Sequence, residues 1–261
     1  MTSAQPVELD VDVRPGGPLP QALAARARRL LERAAPSGGP AVLGIVGAPG
    51  VGKSTLAAQV VTAFSEAAGD QGVRAAAAAG DRGAHDAAEA GGPVALLPMD
   101  GFHLANSRLE HLGRRDRKGA PDTFDATGYA VLLRRLGEPG RGVVHAPEYR
   151  REIEEAVAGA IAIGPQVRLV VTEGNYLLLD DGPWAPVAGL LTESWFLTAD
   201  PAVRLERLVE RHVRFGKAPE AARAWATGPD ERNARLIAGT APLADVVVHL
   251  VEGSHDGRLT P

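Results

Sequence analysis

Apolar residues recur along the chain with two different periods. From Gln21 to Ala35, Leu23, Ala27, Leu30, Leu31 and Ala34 return at steps of three and four, while Arg26, Arg28, Arg29, Glu32 and Arg33 lie largely off that face. The spacing predicts a helix, closed by Pro36-Ser37-Gly38-Gly39-Pro40. Ala41 to Val46 is instead a short continuous apolar run, and Val94 to Met99, Val167 to Thr172, Trp195 to Thr198 and Asp245 to Leu250 are further strand candidates. Such runs between turn residues suit strands covered on both faces in a parallel sheet. Helical spacing returns from Lys53 to about Ala67, from Tyr129 to Leu136, after Asp200-Pro201, and from Asp230 to Ala238. Val143 to Pro147 reads as a short rim strand after a turn at Glu138 to Gly142. Strands alternating with helices predict an α/β fold with three layers and a mainly parallel central sheet.

Two stretches fall outside that rhythm. Residues 1–20, rich in Pro and Gly, read as a loose leader, and 69–93 as a flexible insertion with one weak strand at Val73 to Ala79. The expected organisation is then one domain over 21–252, with a lid region at about 200–230 and a tail at 253–261.

Composition narrows the function. The 261 residues hold 28 Lys and Arg against 32 Asp and Glu, a net charge of −4 that gives no support for non-specific nucleic-acid binding. With no cysteine, disulfide scaffolds, cysteine-ligated zinc and thiol catalysis are excluded. No apolar run approaches the ~20 residues of a membrane-spanning helix, and the first residues do not read as a secretory signal. The expectation is a cytoplasmic protein without nucleic-acid or membrane partners. Aromatic residues are only 4%, so the core must come mainly from Ala, Val and Leu.

The strongest chemical signal is Gly47-Ala48-Pro49-Gly50-Val51-Gly52-Lys53-Ser54-Thr55. It satisfies G-x-x-x-x-G-K-S between a strand and a helix, the Walker A context. The glycines let several backbone N–H groups turn inward, and the following helix adds its positive end. Lys53 is expected to reach the β- and γ-phosphates of a nucleoside triphosphate, and Ser54 to hold Mg²⁺. The Asn-Lys-x-Asp string that reads guanine is absent, which favours ATP.

Two carboxylates end other apolar runs. Asp100, in Pro98-Met99-Asp100-Gly101-Phe102-His103, can accept the proton of an attacking alcohol; alone it would equally serve as a turn cap. Glu173 can orient Mg²⁺ directly or through water, activate a water, or cap a turn. Arg204, Arg207, Arg211 and Arg214 form a stripe on the helix after Pro201; Arg211 is the candidate for a lid arginine that stabilises transferring phosphate. Glu206 and Glu210 allow the same stripe to be a solvated, paired face. Arg114 to Gly119 reads as a solvated loop that could also bind substrate anions or close over the site. Trp184, Trp195 and Trp225 read as packing residues.

Taken in order, Gly47–Thr55, Met99–His103, Arg117–Asp125, Ala146–Tyr149, Thr172–Leu178 and Arg211–Lys217 resemble the uridine kinase, phosphoribulokinase and bacterial pantothenate kinase superfamily of P-loop kinases. The likeness spans about residues 20–250 and is nearest to the nucleoside/nucleotide kinase-like branch that includes fructose transport system kinases. It implies a P-loop NTPase fold with a helical lid. It implies ATP and Mg²⁺ as cofactors, Asp100 as catalytic base, Lys53 as phosphate ligand, Arg211 as the lid arginine, and Ser54 and Glu173 on the metal side. On the substrate side the candidates are Asp100, His103, Tyr149, Arg151 and Asn233, the resemblance itself placing Tyr149 and, from Asp230-Glu231-Arg232-Asn233-Ala234, Asn233. Two residues after the tyrosine the pantothenate kinases carry a histidine; here Arg151 stands, which counts against pantothenate. The leading expectation is an ATP-dependent kinase acting on a hydroxyl of a nucleoside, sugar or related alcohol, with a homodimer left open. The alternatives are a nucleotide-switched GTPase of metallochaperone type and a pantothenate kinase-like enzyme.

Overall fold

The structure, a computed structural model, describes residues 5–34, 38–66 and 92–251. The strand expected at Val73 to Ala79, nearly all of the 69–93 insertion and the 253–261 tail lie outside the described residues. The elements run β1 (Val7–Val11), α1 (Gln21–Arg33), β2 (Ala41–Gly47), α2 (Lys53–Glu66), β3 (Val94–Pro98), α3 (Asn106–His111), α4 (Ala126–Leu136), β4 (Val144–Arg150) and β5 (Glu155–Ile163). They continue with β6 (Leu169–Gly174), α5 (Ala185–Ala188), β7 (Glu193–Ala199), α6 (Pro201–Arg214), α7 (Pro219–Thr227), α8 (Pro229–Ala238) and β8 (Val246–Leu250).

Six strands form one sheet in the order β1-β8-β7-β2-β6-β3, every neighbour parallel. Each central strand sorts its side chains by the pleat. Leu43 and Ile45 of β2, Val171 of β6 and Leu96 of β3 pack with α1 and α2 on one face. Val42 and Val46, Val170, and Ala95 and Leu97 pack with α4, α8 and the hairpin residues on the other. Both faces are covered, which is why these segments read as continuous apolar runs rather than alternating ones. Thr172 faces the second layer at no cost in unpaired polarity: its hydroxyl donates to Leu97 O and meets Tyr129 Oη, each at 2.6 Å. Asp200 caps α6 by accepting from the N–H groups of Ala202 and Val203, with Pro201 in the first turn, as its sequence predicts.

Three local expectations change. The leader is not loose throughout, because Val7–Val11 adds a strand to the sheet edge beside β8. Only Val11 of it is buried, so nothing in its own pattern marks it. The rim strand at Val143 to Pro147 is one arm of a hairpin, β4 paired antiparallel with β5. Alanine at four of the nine β5 positions concealed that partner, since alanine has little strand preference. Helix α7 was unforeseen because its buried side is only Ala222 and Ala226. Among the described residues no helix is long and apolar enough to cross a bilayer.

Gly101 locks the hairpin against the sheet. A Cβ there would stand 2.1 Å from Pro147 O, which is backbone of β4 and cannot swing away. Gly101→Ala is therefore expected to destabilise by about 1–3 kcal/mol, lowering Tm by roughly 2–12 °C. An unchanged thermal midpoint would show that the hairpin can move freely.

Candidate active site

Three strand ends meet at one rim. β6 lies between β2 and β3, with Ile45 and Pro98 both opposite Glu173. The glutamate thus sits between the point where the phosphate loop leaves β2 and Asp100, in the turn Met99–Phe102 just after β3. In open parallel sheets this carboxyl edge is where ligands bind.

The loop has the expected shape. Gly50 and Gly52 take φ of +82° and +108°, the left-handed region that side chains avoid. Gly50 also faces α6 so closely that a Cβ would lie 2.7 Å from Arg204 O. Lys53 Nζ donates to Gly47 O at 2.9 Å, Ala48 O at 3.2 Å and Asn175 Oδ1 at 2.8 Å, so all three of its hydrogens are used. Burial draws the ammonium down to about 8; Glu173 and Asp100 oppose that shift and Arg211 and Arg151 add to it. Ser54 Oγ donates to Glu173 Oε1 at 3.1 Å. These are two hard oxygen donors side by side, a set that suits Mg²⁺, which takes few carboxylates and completes its shell with phosphate and water.

Asp100 is half-buried. Burial would raise its carboxyl, but His103, Arg151, Lys53 and Arg211 together hold it below the ordinary aspartate value. Arg151 Nη2 lies 3.6 Å from Asp100 Oδ2. The His103 ring lies between Phe124 and Tyr149, at centroid distances of 3.9 and 4.7 Å. Its Nδ1 is 2.8 Å from Asp100 O, a carbonyl that can only accept, so Nδ1 carries the hydrogen. Burial lowers the imidazole below its usual range despite the nearby carboxylate.

A depressed Asp100 is ionised at every pH above its own value, and its capacity to take a proton is lost only as pH falls through that value. For an Asp100-dependent reaction, kcat/KM is expected to vary less than about twofold between pH 7 and pH 5.5, and to fall on the alkaline side as the Lys53 ammonium loses its proton near pH 8. An acid limb centred near pH 7 in initial-rate profiles would assign the base elsewhere.

Two clefts open from this rim. One is lined by the loop residues Gly50, Gly52, Lys53, Ser54 and Thr55, with Arg207 and Arg214 of α6. The other is lined by Asp100, His103, Tyr149, Asn175 and Asn233, and holds cations from several segments. Arg151, Arg211 and Phe215 line both. Two arginines and one aromatic just past α6 thus border both the loop-side groove and the second cavity. Burial and the neighbouring Arg151 lower the Arg211 guanidinium, while Asp100, Asp230 and Glu173 support it.

The candidates named from sequence come together here, but not all in the same capacity. Tyr149 Oη donates to Glu154 Oε2 at 2.8 Å, and Asn233 Nδ2 donates to Gly119 O at 3.3 Å, so each also shapes the second cavity. Arg204, counted with the stripe, is buried and turns inward: it donates to Pro49 O at 3.2 Å and pairs with Glu231 at 2.5 Å. It ties the phosphate loop to α6 and α8. The Arg114–Gly119 segment contributes Arg115 and Lys118 to the second cavity. Trp225, expected to pack, lines that cavity under Lys217, whose Nζ lies 4.8 Å from the ring centre. Asn175 was missed; the available signal was a polar residue two positions past a strand-ending carboxylate. Tyr176, whose hydroxyl donates to Gly119 O at 2.5 Å, was missed because a buried tyrosine looks like core.

Comparison with known proteins adds an independent line. The family "Methylmalonyl Co-A mutase-associated GTPase MeaB" matches residues 19–92. "ATP-dependent kinase-like protein notR'" of Aspergillus versicolor is 38% identical over 133 residues, covering 48% of this chain and 77% of that protein. "Putative uridine kinase C227.14" of Schizosaccharomyces pombe is 29% identical over 179 residues, 67% of each chain. Among solved structures, a "putative fructose transport system kinase from Silicibacter sp. TM1040" superposes with a TM-score of 0.69 at 36% identity, over 86% of this chain and 98% of that one.

Proposed function

Because this chain belongs to the P-loop kinases of the uridine kinase, phosphoribulokinase and bacterial pantothenate kinase superfamily, we propose that it transfers the γ-phosphate of ATP to a hydroxyl of a small molecule: a nucleoside, a sugar or a related alcohol. The observation that carries this reading is the two-cleft arrangement. Asp100 faces a cavity separate from the phosphate groove, and Arg151 and Arg211 stand between them.

The chemistry follows from those positions. Backbone N–H groups of the loop and the Lys53 ammonium hold the β- and γ-phosphates. Mg²⁺, held by Ser54 and Glu173, would neutralise phosphate charge. An acceptor hydroxyl in the second cavity gives its proton to Asp100 as its oxygen bonds to the γ-phosphorus. The bond from that phosphorus to the β–γ bridging oxygen breaks, and ADP leaves. Arg211 and Arg151 face the equatorial oxygens, where charge accumulates. Phe215 and Trp225 on the lid side restrict water, which would otherwise compete as acceptor.

The MeaB match supports a second reading, a nucleotide-switched GTPase. It ends at residue 92, before Asp100, Glu173 and the lid, so it rests on the phosphate-loop half that both classes need. A mass-detected phosphorylation screen with ATP and GTP against nucleosides, sugars, pantothenate and glycerate separates them. The kinase reading expects a phosphorylated acceptor with ATP. GTP hydrolysis with no acceptor phosphorylated by either nucleotide would favour the switch.

A further inference from the structure

The basic segment Arg114–Lys118 sorts its cations by partner. Arg114 and Arg117 are spent on Asp122, with Nε of the first 3.3 Å and Nη2 of the second 2.7 Å from Asp122 Oδ2. Arg115 and Lys118 instead line the second cavity. Lys118 is nearly enclosed, with 7% of its side chain exposed. Its Nζ donates to Asn106 Oδ1 at 2.7 Å and to Glu154 O at 2.6 Å, both neutral oxygens, and its third hydrogen has no acceptor among the described residues. A carboxylate oxygen of Glu154 stands 4.0 Å away and is engaged by the Tyr149 hydroxyl. The lysine of the phosphate loop, Lys53, is held in the same way, by two carbonyls and an amide oxygen. A buried ammonium surrounded by neutral oxygens is undercompensated until an anion arrives. Arg115 and Lys217 add to the imbalance. Both are exposed, line this cavity and not the loop-side groove, and have no carboxylate within ion-pair distance among the described residues. The other acids of the cavity are engaged, Asp230 by His212 at 2.7 Å and Asp100 by Arg151 at 3.6 Å. Lys118 Nζ lies 5.0 Å from the centre of the Tyr149 ring, the same ring that meets the His103 imidazole beside Asp100.

We propose that the acceptor alcohol carries an anionic group, a carboxylate or a phosphate, bound by Lys118 with Arg115 and Lys217 at the rim of the second cavity. The inference rests on the kinase reading and narrows its acceptor to small acids, hydroxy acids or phosphorylated polyols, in place of neutral sugars and nucleosides. The anion gives the third Lys118 hydrogen an acceptor and offsets charge that a neutral acceptor would leave buried and unbalanced. Burial lowers the Lys118 ammonium against the opposing pull of Glu154, and a bound anion acts in the same sense as that glutamate. Because one aromatic ring contacts both Lys118 and His103, an acceptor of a few carbons can meet the ammonium with its charge and Asp100 with its hydroxyl.

Glycerol, glycerate and glycerol 3-phosphate share one scaffold and differ in charge, so calorimetry with these three probes tests the assignment. The loop-side groove is first saturated with the magnesium complex of a non-hydrolysable ATP analogue, AMP-PNP, so that no probe binds at the phosphate loop. At least one charged probe is expected to bind about tenfold or more tighter than glycerol, and which one does so tells carboxylate from phosphate. Lys118→Met keeps the stem and should weaken that probe about tenfold or more, the worth of one charge-assisted hydrogen bond, with the affinity for MgAMP-PNP held within about twofold. Arg115→Gln removes an exposed charge without a side-chain partner among the described residues and should weaken it about threefold. Should Lys118→Met not fold, the Arg115→Gln variant and the comparison of the three probes decide. Equal binding of all three probes, binding of none, or a charged probe held equally well by both variants overturns the assignment. Failure of the kinase reading looks different. Phosphoryl transfer from ATP to acceptors without regard to their charge keeps the kinase and ends the anion site, whereas a charged probe that binds through Lys118 while no acceptor is phosphorylated keeps the site and refutes the kinase.

Discussion

Replacing Asp100 by Asn is expected to lower kcat by roughly 10²–10⁴-fold, the usual worth of a positioned general base. The amide has the size and shape of the carboxylate but cannot take the alcohol's proton. MgATP affinity should stay within about twofold, because Asp100 lines the second cavity and not the groove beside the loop. Single-turnover rates with an identified acceptor, paired with calorimetry for the nucleotide, separate the two effects. The neighbourhood sharpens the outcome. Arg151 lies 3.6 Å from the carboxylate, and Arg211 is close enough to be supported by it. Removing the negative charge leaves both arginines more exposed to each other's repulsion, so phosphate binding should not weaken. Turnover within about threefold of wild type would remove Asp100 from the chemistry.

Lys53→Met should be severe in a different way. The ammonium is buried and meets three acceptors, two of them loop carbonyls. A charge-assisted hydrogen bond to phosphate is worth about 1.5–3 kcal/mol, so MgATP affinity should fall roughly 10–150-fold. Turnover at saturating nucleotide should fall a further ~10²-fold or more, because the same charge faces the leaving β-phosphate in the transition state. Met matches the stem in length and burial, so thermal unfolding is a useful control. An affinity loss with an unchanged midpoint assigns the effect to the phosphates. A collapsed midpoint assigns it instead to Gly47 O, Ala48 O and Asn175 Oδ1 left without a donor.

Helix and strand order was largely readable before any coordinates, because burial on one or both faces imposes a period on apolar residues. The exceptions share a cause. β1, β5 and α7 bury few or small side chains, so their stability comes from pairing or packing with distant partners. The site divides in the same manner. Lys53 and Ser54 stood out because the loop's constraints are local: glycines for left-handed turns, then a helix start. Asn175 did not, since its meaning is a contact with Lys53 across 122 positions of chain. Arg204 and Arg211, two helical turns apart, looked alike in the stripe. The structure sends Arg204 to Pro49 and Glu231 and leaves Arg211 facing both clefts.

The amino-acid sequence by itself determined a phosphate-binding loop between a buried strand and a helix, and acids at the ends of two other apolar runs. Those features need only neighbours in the chain. Tertiary structure alone decided that β6 sits between β2 and β3, that one acid therefore lies beside the loop and the other at a second cavity, and that Val13 and Pro15, ahead of α1, line the groove. Strand order and edge pairing are set by contacts between residues far apart in sequence, whose energies leave no local periodic trace.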